Sequence, residues 1–338
     1  MHHAPQPETK KEAIMKQVFW PLAALLCAFA GPSVALDCGS GMRAFSHLGG
    51  ETCIPEKAER IVALHDLTIT LSLVELDAPV VGSTGRIDAD NQLYIRSVDL
   101  LFGLDFENSG ITYVGTFDAV DYEVLAALQP DLIIGRDFQL DSREQFEVVA
   151  PTVFVSDDPT DPMATPRAIA EAAGLTERYE QLLTIYEANL ERARFALPDV
   201  KGATYSKISA WDGQLFAFAG YRGLTKVLAD LGFVRGAIGQ EMADRGVAQQ
   251  TVSVELLPEL EADYLFDTYS IAYGARLADP AALLNQAVPG WCDFLTTCSA
   301  GRYIVLPREY SSGYSFVQLN MLLQLITTNV ANAPPVEG

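Results

Sequence analysis

Short apolar runs rich in β-branched residues alternate along this chain with segments of helical periodicity. The pattern predicts strands at 61–64, 80–82, 112–114, 131–135 and 152–155, and helices at 67–76 and 121–128. It then restarts, with strands at 207–211, 215–219, 264–266 and 303–306 and helices at 224–231, 253–260 and 314–330. Apolar strands that alternate with helices are typical of a sheet covered by helices on both faces. Each half of the chain is therefore predicted to form an α/β lobe.

A longer helix separates the two halves of this pattern. Thr165 as N-cap and Pro166 in the first turn predict a helix that ends at Gly174. Thr176 then begins a helix that reaches Pro198, with apolar residues at helical spacing. About 21 residues at a rise of 1.5 Å give roughly 32 Å, which is enough to connect two lobes. We predict two doubly wound α/β lobes joined by one long α-helix, with a ligand cleft between the lobes.

The first 35 residues predict export from the cytoplasm. Lysines precede an apolar run at 18–30, and Ser33-Val34-Ala35 is a small-x-small cleavage pattern. The run is too short to span a membrane. We expect a cleaved signal peptide at 1–35, with an upstream extension, and a free periplasmic protein. The rest divides into an N-terminal disulfide segment (36–59), an N-terminal lobe (60–175), a linker helix (176–198) and a C-terminal lobe (199–338).

Four cysteines follow the signal peptide in two close pairs, Cys38 with Cys53 and Cys292 with Cys298. An even number of cysteines in an exported protein predicts disulfides. The alternative is a four-thiolate metal site, but neither pair has the Cys-x-x-Cys spacing that is typical of such sites.

The chain is strongly acidic, with 44 Asp and Glu residues against 23 Lys and Arg and a net charge of -21. A negative field of this size repels nucleic-acid backbones and anionic membrane surfaces. We therefore expect no nucleic-acid partner and no membrane embedding. Against this acidic background, arginines that gather in one place are informative.

Three segments carry a resemblance to a known family. RIVALHDLTITLSLVELDAPVVGS, DYEVLAALQPDLIIG and SVELLPELEADYLF are similar to segments of the periplasmic substrate-binding proteins of ABC importers for iron-siderophores, haem and cobalamin. The resemblance extends from residue 60 to residue 330. It implies two lobes joined by one long helix that limits their opening, and a monomer with neither catalytic activity nor a cofactor. The transmembrane subunits of an ABC importer are the implied partner.

The resemblance also implies two docking residues, one on each lobe. Family members present a glutamate from each lobe to arginine pockets of the importer, and the matching positions here are Glu123 and Glu255. A carboxylate in a first helical turn is favoured by the helix dipole and can pair bidentately with arginine. The alternative is that both residues are ordinary carboxylates at the start of a helix.

Arginines and aromatic residues recur where the predicted strands end, at positions that supply ligand contacts in the similar family. The candidates are Arg86, Arg96, Phe117, Arg136, Trp211, Tyr221, Arg222, Tyr269, Arg308 and Tyr310. Guanidinium groups suit carboxylates and other oxyanions, and aromatic rings add apolar contact area. We therefore expect an anionic, oxygen-rich ligand, namely a ferric siderophore of carboxylate or hydroxycarboxylate type that itself holds the iron. Hydroxamate and catecholate siderophores stay open as alternatives. Alternatively, each arginine pairs with a neighbouring carboxylate such as Asp88, Asp99 or Asp137.

Other functions stay open on the sequence alone. Haem is an alternative ligand and would need an axial ligand, for which Tyr269 or Tyr310 could serve. Cobalamin is another alternative, because importers of the similar family also transport it. A solute sensor that docks to a receptor would have the same features. A zinc or manganese site needs several histidines, and only His47 and His65 follow the signal peptide. A hydrolase is disfavoured because no G-x-S-x-G motif occurs.

Overall fold

The structure is a computed structural model that describes residues 36–88, 90–197 and 200–336. The predicted signal peptide at 1–35 lies outside the described residues. No helix in the described ranges is long and apolar enough to cross a membrane.

The first half of the described chain is built around a parallel sheet. Its strands, with the short hairpins between them, are β1 (Met42–His47), β2 (Gly50–Pro55), β3 (Ile61–Ala63), β4 (Val80–Ser83), β5 (Arg86–Ile87), β6 (Leu93–Tyr94), β7 (Thr112–Tyr113), β8 (Gly115–Thr116), β9 (Ala119–Val120), β10 (Leu132–Arg136) and β11 (Thr152–Val155). The sheet has the order β11-β10-β3-β4-β7 with parallel neighbours. The central strands β3 and β10 are buried along their whole length. This burial explains why the sequences of these two strands are continuous apolar runs.

The helices of this half cover the sheet. A π-helical turn at Asp66–Thr70 continues into α1 (Leu71–Glu75), and α2 (Val98–Phe102), α3 (Tyr122–Ala127), a 3₁₀ segment (Asp137–Ser142), α4 (Arg143–Glu147) and α5 (Ala164–Ala173) follow. Thr165 is not the N-cap that the sequence predicts, because α5 begins one residue earlier. Its Oγ1 instead donates to the carbonyl of Ser156 at 2.6 Å.

An N-terminal hairpin closes one edge of the sheet. β1 and β2 pair in antiparallel register, and a disulfide joins Cys38 to Cys53 with their Cα atoms 5.6 Å apart. The amide of Leu48 donates to the carbonyl of Phe154, and Nδ1 of His47 accepts from the amide of Phe154. The hairpin therefore covers the exposed edge of β11.

The long linker helix α6 (Thr176–Ala196) has the length that the sequence predicts. Its buried side chains Tyr179, Tyr186 and Leu190 join a hydrophobic cluster with residues from both halves of the chain, including Leu76 and Leu319. Because α6 is packed against both halves, it restrains their relative movement.

The second half is built around a mixed sheet. Its elements are β12 (Thr204–Trp211), β13 (Gln214–Phe218), α7 (Arg222–Leu231), β14 (Val234–Arg235), α8 (Ala237–Asp244), β15 (Gln249–Val252), a 3₁₀ segment (Val254–Leu260), β16 (Tyr264–Tyr269), a 3₁₀ turn (Ile271–Tyr273), α9 (Asp279–Ala287), α10 (Trp291–Phe294), α11 (Thr296–Ser299), β17 (Tyr303–Pro307), α12 (Arg308–Ser311) and α13 (Phe316–Asn332). The strand order is β15-β13-β12-β16-β17, with β14 beside β12. The hairpin turn predicted at Asp212-Gly213 is present, with φ angles of 52° and 70° that suit a type I′ turn.

Two further sequence predictions can be compared with this half. The disulfide between Cys292 and Cys298 is present, so the described residues contain both predicted pairs. The segment at 253–260 forms a 3₁₀ helix rather than an α-helix, with Pro258 inside it.

We call the elements from β3 to α5 the N-terminal lobe and those from β12 to α13 the C-terminal lobe. The predicted domain boundaries themselves stay predictions.

Candidate functional site

The two lobes face each other at the carboxyl ends of their strands, where a cavity of about 290 Å³ lies between them. The N-terminal lobe contributes Leu67, Arg86, Tyr94, Arg96, Ser97, Asp99 and Leu100, and the C-terminal lobe contributes Ser270, Ile271, Ala272, Tyr273, Arg308, Glu309 and Ser312. This is the position expected for a ligand site in an α/β protein.

Two further cavities adjoin the first. The second, also about 290 Å³, is lined by His65, Leu67, Arg96, Phe218, Gly220, Tyr221, Arg222, Ala248, Gln249, Arg308 and Ser312. The third, about 490 Å³, lies on the side of the C-terminal lobe, and its lining includes Trp211, Phe218, Tyr221, Tyr273 and Arg308. We call the three cavities together the cleft.

Arg86 and Arg96 share one buried carboxylate at the N-terminal wall of the cleft. Arg96 donates through Nε and Nη2 to the two oxygens of Asp66, at 2.8 and 2.5 Å. Nε of Arg86 lies 3.7 Å from Oδ2 of the same side chain. Burial alone would raise the pKa of Asp66, but the bonds and charge of Arg96 hold it below its usual value. The two guanidinium groups and the carboxylate of Asp66 together carry one net positive charge, and Asp99 adds a further carboxyl group to the same wall.

Arg136 is buried at the end of its strand. It is the last residue of β10, is 5% exposed and lines none of the three cavities. Its Nη1 lies 3.2 Å from Oδ1 of Asp157 and its Nε 3.4 Å from Oδ1 of Asp137. Both carboxylates belong to the N-terminal lobe, and a ligand contact by Arg136 stays a prediction.

Arg222 lines the second cavity, at the start of α7 in the C-terminal lobe. Its guanidinium group nevertheless contacts the opposite lobe. Nη2 lies 3.0 Å from Oδ2 of Asp157, and Nη1 donates to Oγ1 of Thr68 at 3.3 Å. One carboxylate, Asp157, therefore contacts an arginine from each lobe.

Arg308 begins α12 immediately after β17, and its side chain is exposed. It lines all three cavities. Within the part of the chain that the structure describes, Arg308 forms no ion pair with a carboxylate. Its guanidinium group therefore has the greatest capacity to bind an added anion.

One predicted aromatic residue lines the cleft, and another contacts a cleft arginine. Tyr221 lines the second and third cavities. The ring centroid of Phe117 lies 4.4 Å from the guanidinium carbon of Arg86, in a cation–π contact. The side chain of Phe117 thus supports Arg86, although it lines none of the three cavities.

The other predicted aromatic residues are less central. Trp211 lines the third cavity and stacks on Phe216 with centroids 3.4 Å apart. Tyr269 and Tyr310 line none of the three cavities, and Tyr310 packs against the hydrophobic cluster that α6 forms with both halves of the chain. The ligand-contact role of these two tyrosines stays a prediction.

His65 lies between β3 and the π-helical turn and lines the second cavity. Its Nδ1 accepts from the amide of Thr68 at 3.1 Å and so caps the π-helical turn, while Nε2 lies 3.2 Å from Nη2 of Arg96. Burial, reinforced by the charges of Arg96, Arg136 and Arg222 and opposed by Asp66, lowers the pKa of His65 to about 3. The imidazole is therefore neutral at physiological pH.

Several cleft residues were not predicted. Tyr94 and Tyr273 meet across the first cavity, and burial together with the Tyr273 hydroxyl raises the pKa of Tyr94 to about 12. Glu309 accepts from the hydroxyl of Ser270 at 2.6 Å and the amide of Ile271 at 3.1 Å, and so orders the loop after β16. Tyr94 ends β6, and Tyr273 ends the 3₁₀ turn that follows β16. Both lie at or after the end of a strand, so the rule used for the arginines could have identified them.

The two docking candidates are on the surface. Glu123 is exposed in the first turn of α3, which Asp121 caps, and Glu255 is exposed in the first turn of the 3₁₀ segment Val254–Leu260. Their role stays a prediction. In the described ranges, no group of three His, Cys, Asp or Glu side chains could hold a metal ion.

Comparison with known proteins identifies the family. The family described as "periplasmic binding protein" matches residues 66–281, which is more than half of the 338 residues. The chain belongs to the periplasmic binding protein family. Members of this family are binding proteins, so this periplasmic binding protein is not an enzyme. The family predicted from the sequence is thereby confirmed.

Two curated relatives come from Bacillus subtilis. The iron(3+)-hydroxamate-binding protein FhuD is 27% identical over 164 residues, or 47% of this chain and 51% of that protein. The chain thus spans about half the length of that relative. The petrobactin-binding protein YclQ is 26% identical over 267 residues, or 72% of this chain and 78% of that protein. The names of both relatives refer to a ligand and to no cofactor.

Solved structures share the fold. Staphylococcus aureus SirA complexed with staphyloferrin B aligns with a TM-score of 0.69 and 20% identity, over 85% of this chain and 98% of that one. The FhuD protein from S. pseudintermedius aligns with a TM-score of 0.66 and 17% identity, over 87% of this chain and 99% of that one. The predicted fold of two α/β lobes and a connecting helix is confirmed.

Proposed function

We propose that this periplasmic binding protein captures an anionic ferric siderophore in the cleft and delivers it to an ABC importer. The main support for the proposal is that four arginines line the cavities of a chain whose net charge is -21, namely Arg86, Arg96, Arg222 and Arg308. The names of the two Bacillus relatives support an iron chelate as the ligand class.

A carboxylate or hydroxycarboxylate siderophore fits the side chains best. Arginine offers parallel N–H donors that match a carboxylate bidentately. Arg308 forms no ion pair within the described residues, so an added carboxylate meets no internal competitor there. The rings of Phe218, Tyr221 and Tyr273 add apolar area and hydroxyl groups around it.

The transport step follows from the same arrangement. A ligand that contacts both lobes favours the closed form. Closure brings Glu123 and Glu255 to a defined separation, because α6 packs against both lobes. The importer would then recognise the two carboxylates and accept the ligand, and the energy for uptake would come from the importer. Export of the chain to the periplasm and action as a monomer belong to the same proposal.

Native mass spectrometry of the chain without residues 1–35 tests the proposal. The protein is exposed separately to ferric carboxylate, hydroxamate and catecholate chelates, to haem and to cobalamin. We expect a 1:1 complex with a ferric carboxylate chelate. Binding of haem or cobalamin alone, or of none of the compounds, contradicts the proposed function.

A variant tests the role of the arginines in the same assay. Arg308→Ala should weaken binding about tenfold or more, since a hydrogen bond to a charged group contributes about 1.5–3 kcal/mol. Arg245→Ala is the matched control, because Arg245 is an exposed arginine immediately after α8 and is paired with Glu241. Equal affinities for the two variants would remove Arg308 from the binding site.

A further inference from the structure

The carboxylate of Asp157 contacts an arginine from each lobe. Its Oδ2 contacts Nη2 of Arg222 from the C-terminal lobe at 3.0 Å, and its Oδ1 contacts Nη1 of Arg136 from the N-terminal lobe at 3.2 Å. An anionic ligand bound between the lobes would make contacts of this kind. Asp157 therefore gives Arg222 an internal substitute for such a ligand.

The other carboxylate that pairs with cleft arginines is different. Asp66 is 1% exposed and contacts Arg86 and Arg96 within its own lobe. The side chain of Asp157 is 29% exposed, and that of Arg222 is 36% exposed. Water therefore reaches the pair that crosses the cleft, and its two partners can separate without exposing a buried charge to an apolar interior.

The backbone directs Arg222 into this contact. Arg222 has a φ of 39°, which is unusual for a residue with a side chain. The next residue, Gly223, lies so close to Gly313 that a Cβ atom there would overlap the Gly313 carbonyl oxygen. The start of α7 is therefore held in place, and the guanidinium group extends from a fixed point across the second cavity.

We propose that Asp157 is a built-in competitor that sets the affinity and charge selectivity of the cleft by occupying Arg222 until an anionic ligand displaces it. This inference rests on the proposed function. A ligand with a single weak anionic group gains little, because it must break the pair between Arg222 and Asp157. A ligand with several carboxylates gains Arg308 as well as Arg222, and is favoured. The affinity of the free site is reduced by the fraction of molecules in which the pair is formed.

The test compares two neutralising substitutions, Asp157→Asn and Asp137→Asn, with citrate as a tricarboxylate probe. Both remove one negative charge from a residue that contacts Arg136, but only Asp157 also contacts Arg222. Isothermal titration should show that Asp157→Asn binds citrate more tightly than Asp137→Asn does, by up to about fivefold, the upper limit for a partly exposed ion pair. In an Arg222→Gln background, the Asp157→Asn substitution should produce no gain.

Any of three other results would overturn the inference. Weaker binding by Asp157→Asn would mean that Asp157 aligns Arg222 for the ligand instead of competing with it. Equal affinities for the two variants would mean that net charge alone matters. Failure of Asp157→Asn to bind citrate at all would also contradict competition. The proposed function fails separately, if the unaltered protein binds none of the ferric chelates in native mass spectrometry.

Discussion

Glu75 offers a test of how the two lobes are held together. It is the last residue of α1 in the N-terminal lobe, and its carboxylate accepts from the amides of Phe316, at 2.8 Å, and Val317 at the start of α13 in the C-terminal lobe. Burial raises the pKa of Glu75 to about 7, although these two bonds and the charge of Arg178 oppose the rise. The substitution Glu75→Gln removes the titrating group and keeps an oxygen that can accept from one amide.

The direction of the pH dependence follows from proton binding. The unfolded chain releases the Glu75 proton near the ordinary pKa of 4.5 and the folded chain near 7, so the folded state holds more protons between these values. Raising the pH through this window therefore lowers the free energy of unfolding. At about 1.4 kcal/mol for each pH unit inside the window, the loss from pH 5 to pH 8 is about 2 to 3 kcal/mol.

Urea unfolding of both proteins at pH 5 and pH 8 measures this loss. We expect the free energy of unfolding of the original protein to fall by about 2 to 3 kcal/mol relative to Glu75→Gln over this range. Glu180→Gln is the control, because Glu180 is an exposed carboxylate on α6, and it should follow the original protein. If the difference between Glu75→Gln and the original protein is the same at both pH values, then the two amides keep Glu75 ionised and the reasoning is wrong.

Three further predictions concern other parts of the molecule. A double variant, Glu123→Arg with Glu255→Arg, should keep the ligand affinity measured by titration and abolish uptake into cells, and a loss of binding would contradict a docking role for these exposed residues. Gly223→Ala should lower the free energy of unfolding and weaken ligand binding, because its Cβ would overlap the carbonyl oxygen of Gly313; unchanged stability would show that the start of α7 can shift freely. His65→Asn should make the protein less sensitive to acid, because the pKa of His65 is about 3 in the folded protein against an ordinary 6.5. The free energy of unfolding of the original protein should therefore fall by roughly 2 kcal/mol between pH 6.5 and 4.5. Parallel acid-unfolding curves for the two proteins would refute this.

The sequence alone determined the architecture. Apolar runs and helical periodicity predicted the ends of β10, α6 and β17 to within two residues. This was possible because the burial of a strand or of one helix face leaves a local pattern in the chain. The cysteine pairs and the turn at Asp212-Gly213 were found for the same reason, since partners close in sequence need no knowledge of the fold. Arginines after strands could be identified because parallel strands end at one edge of a sheet.

Only the tertiary structure decided which charges near the cleft are neutralised. Arg96 pairs with Asp66, 30 residues away, and Arg222 pairs with Asp157 across the two lobes. Arg136 pairs with both Asp137 and Asp157. Such pairings depend on distances of a few ångströms between elements far apart in the chain, and a pattern of residue types carries no information about them. The sequence therefore locates the guanidinium groups, whereas the packing of the lobes determines which of them can bind an anion.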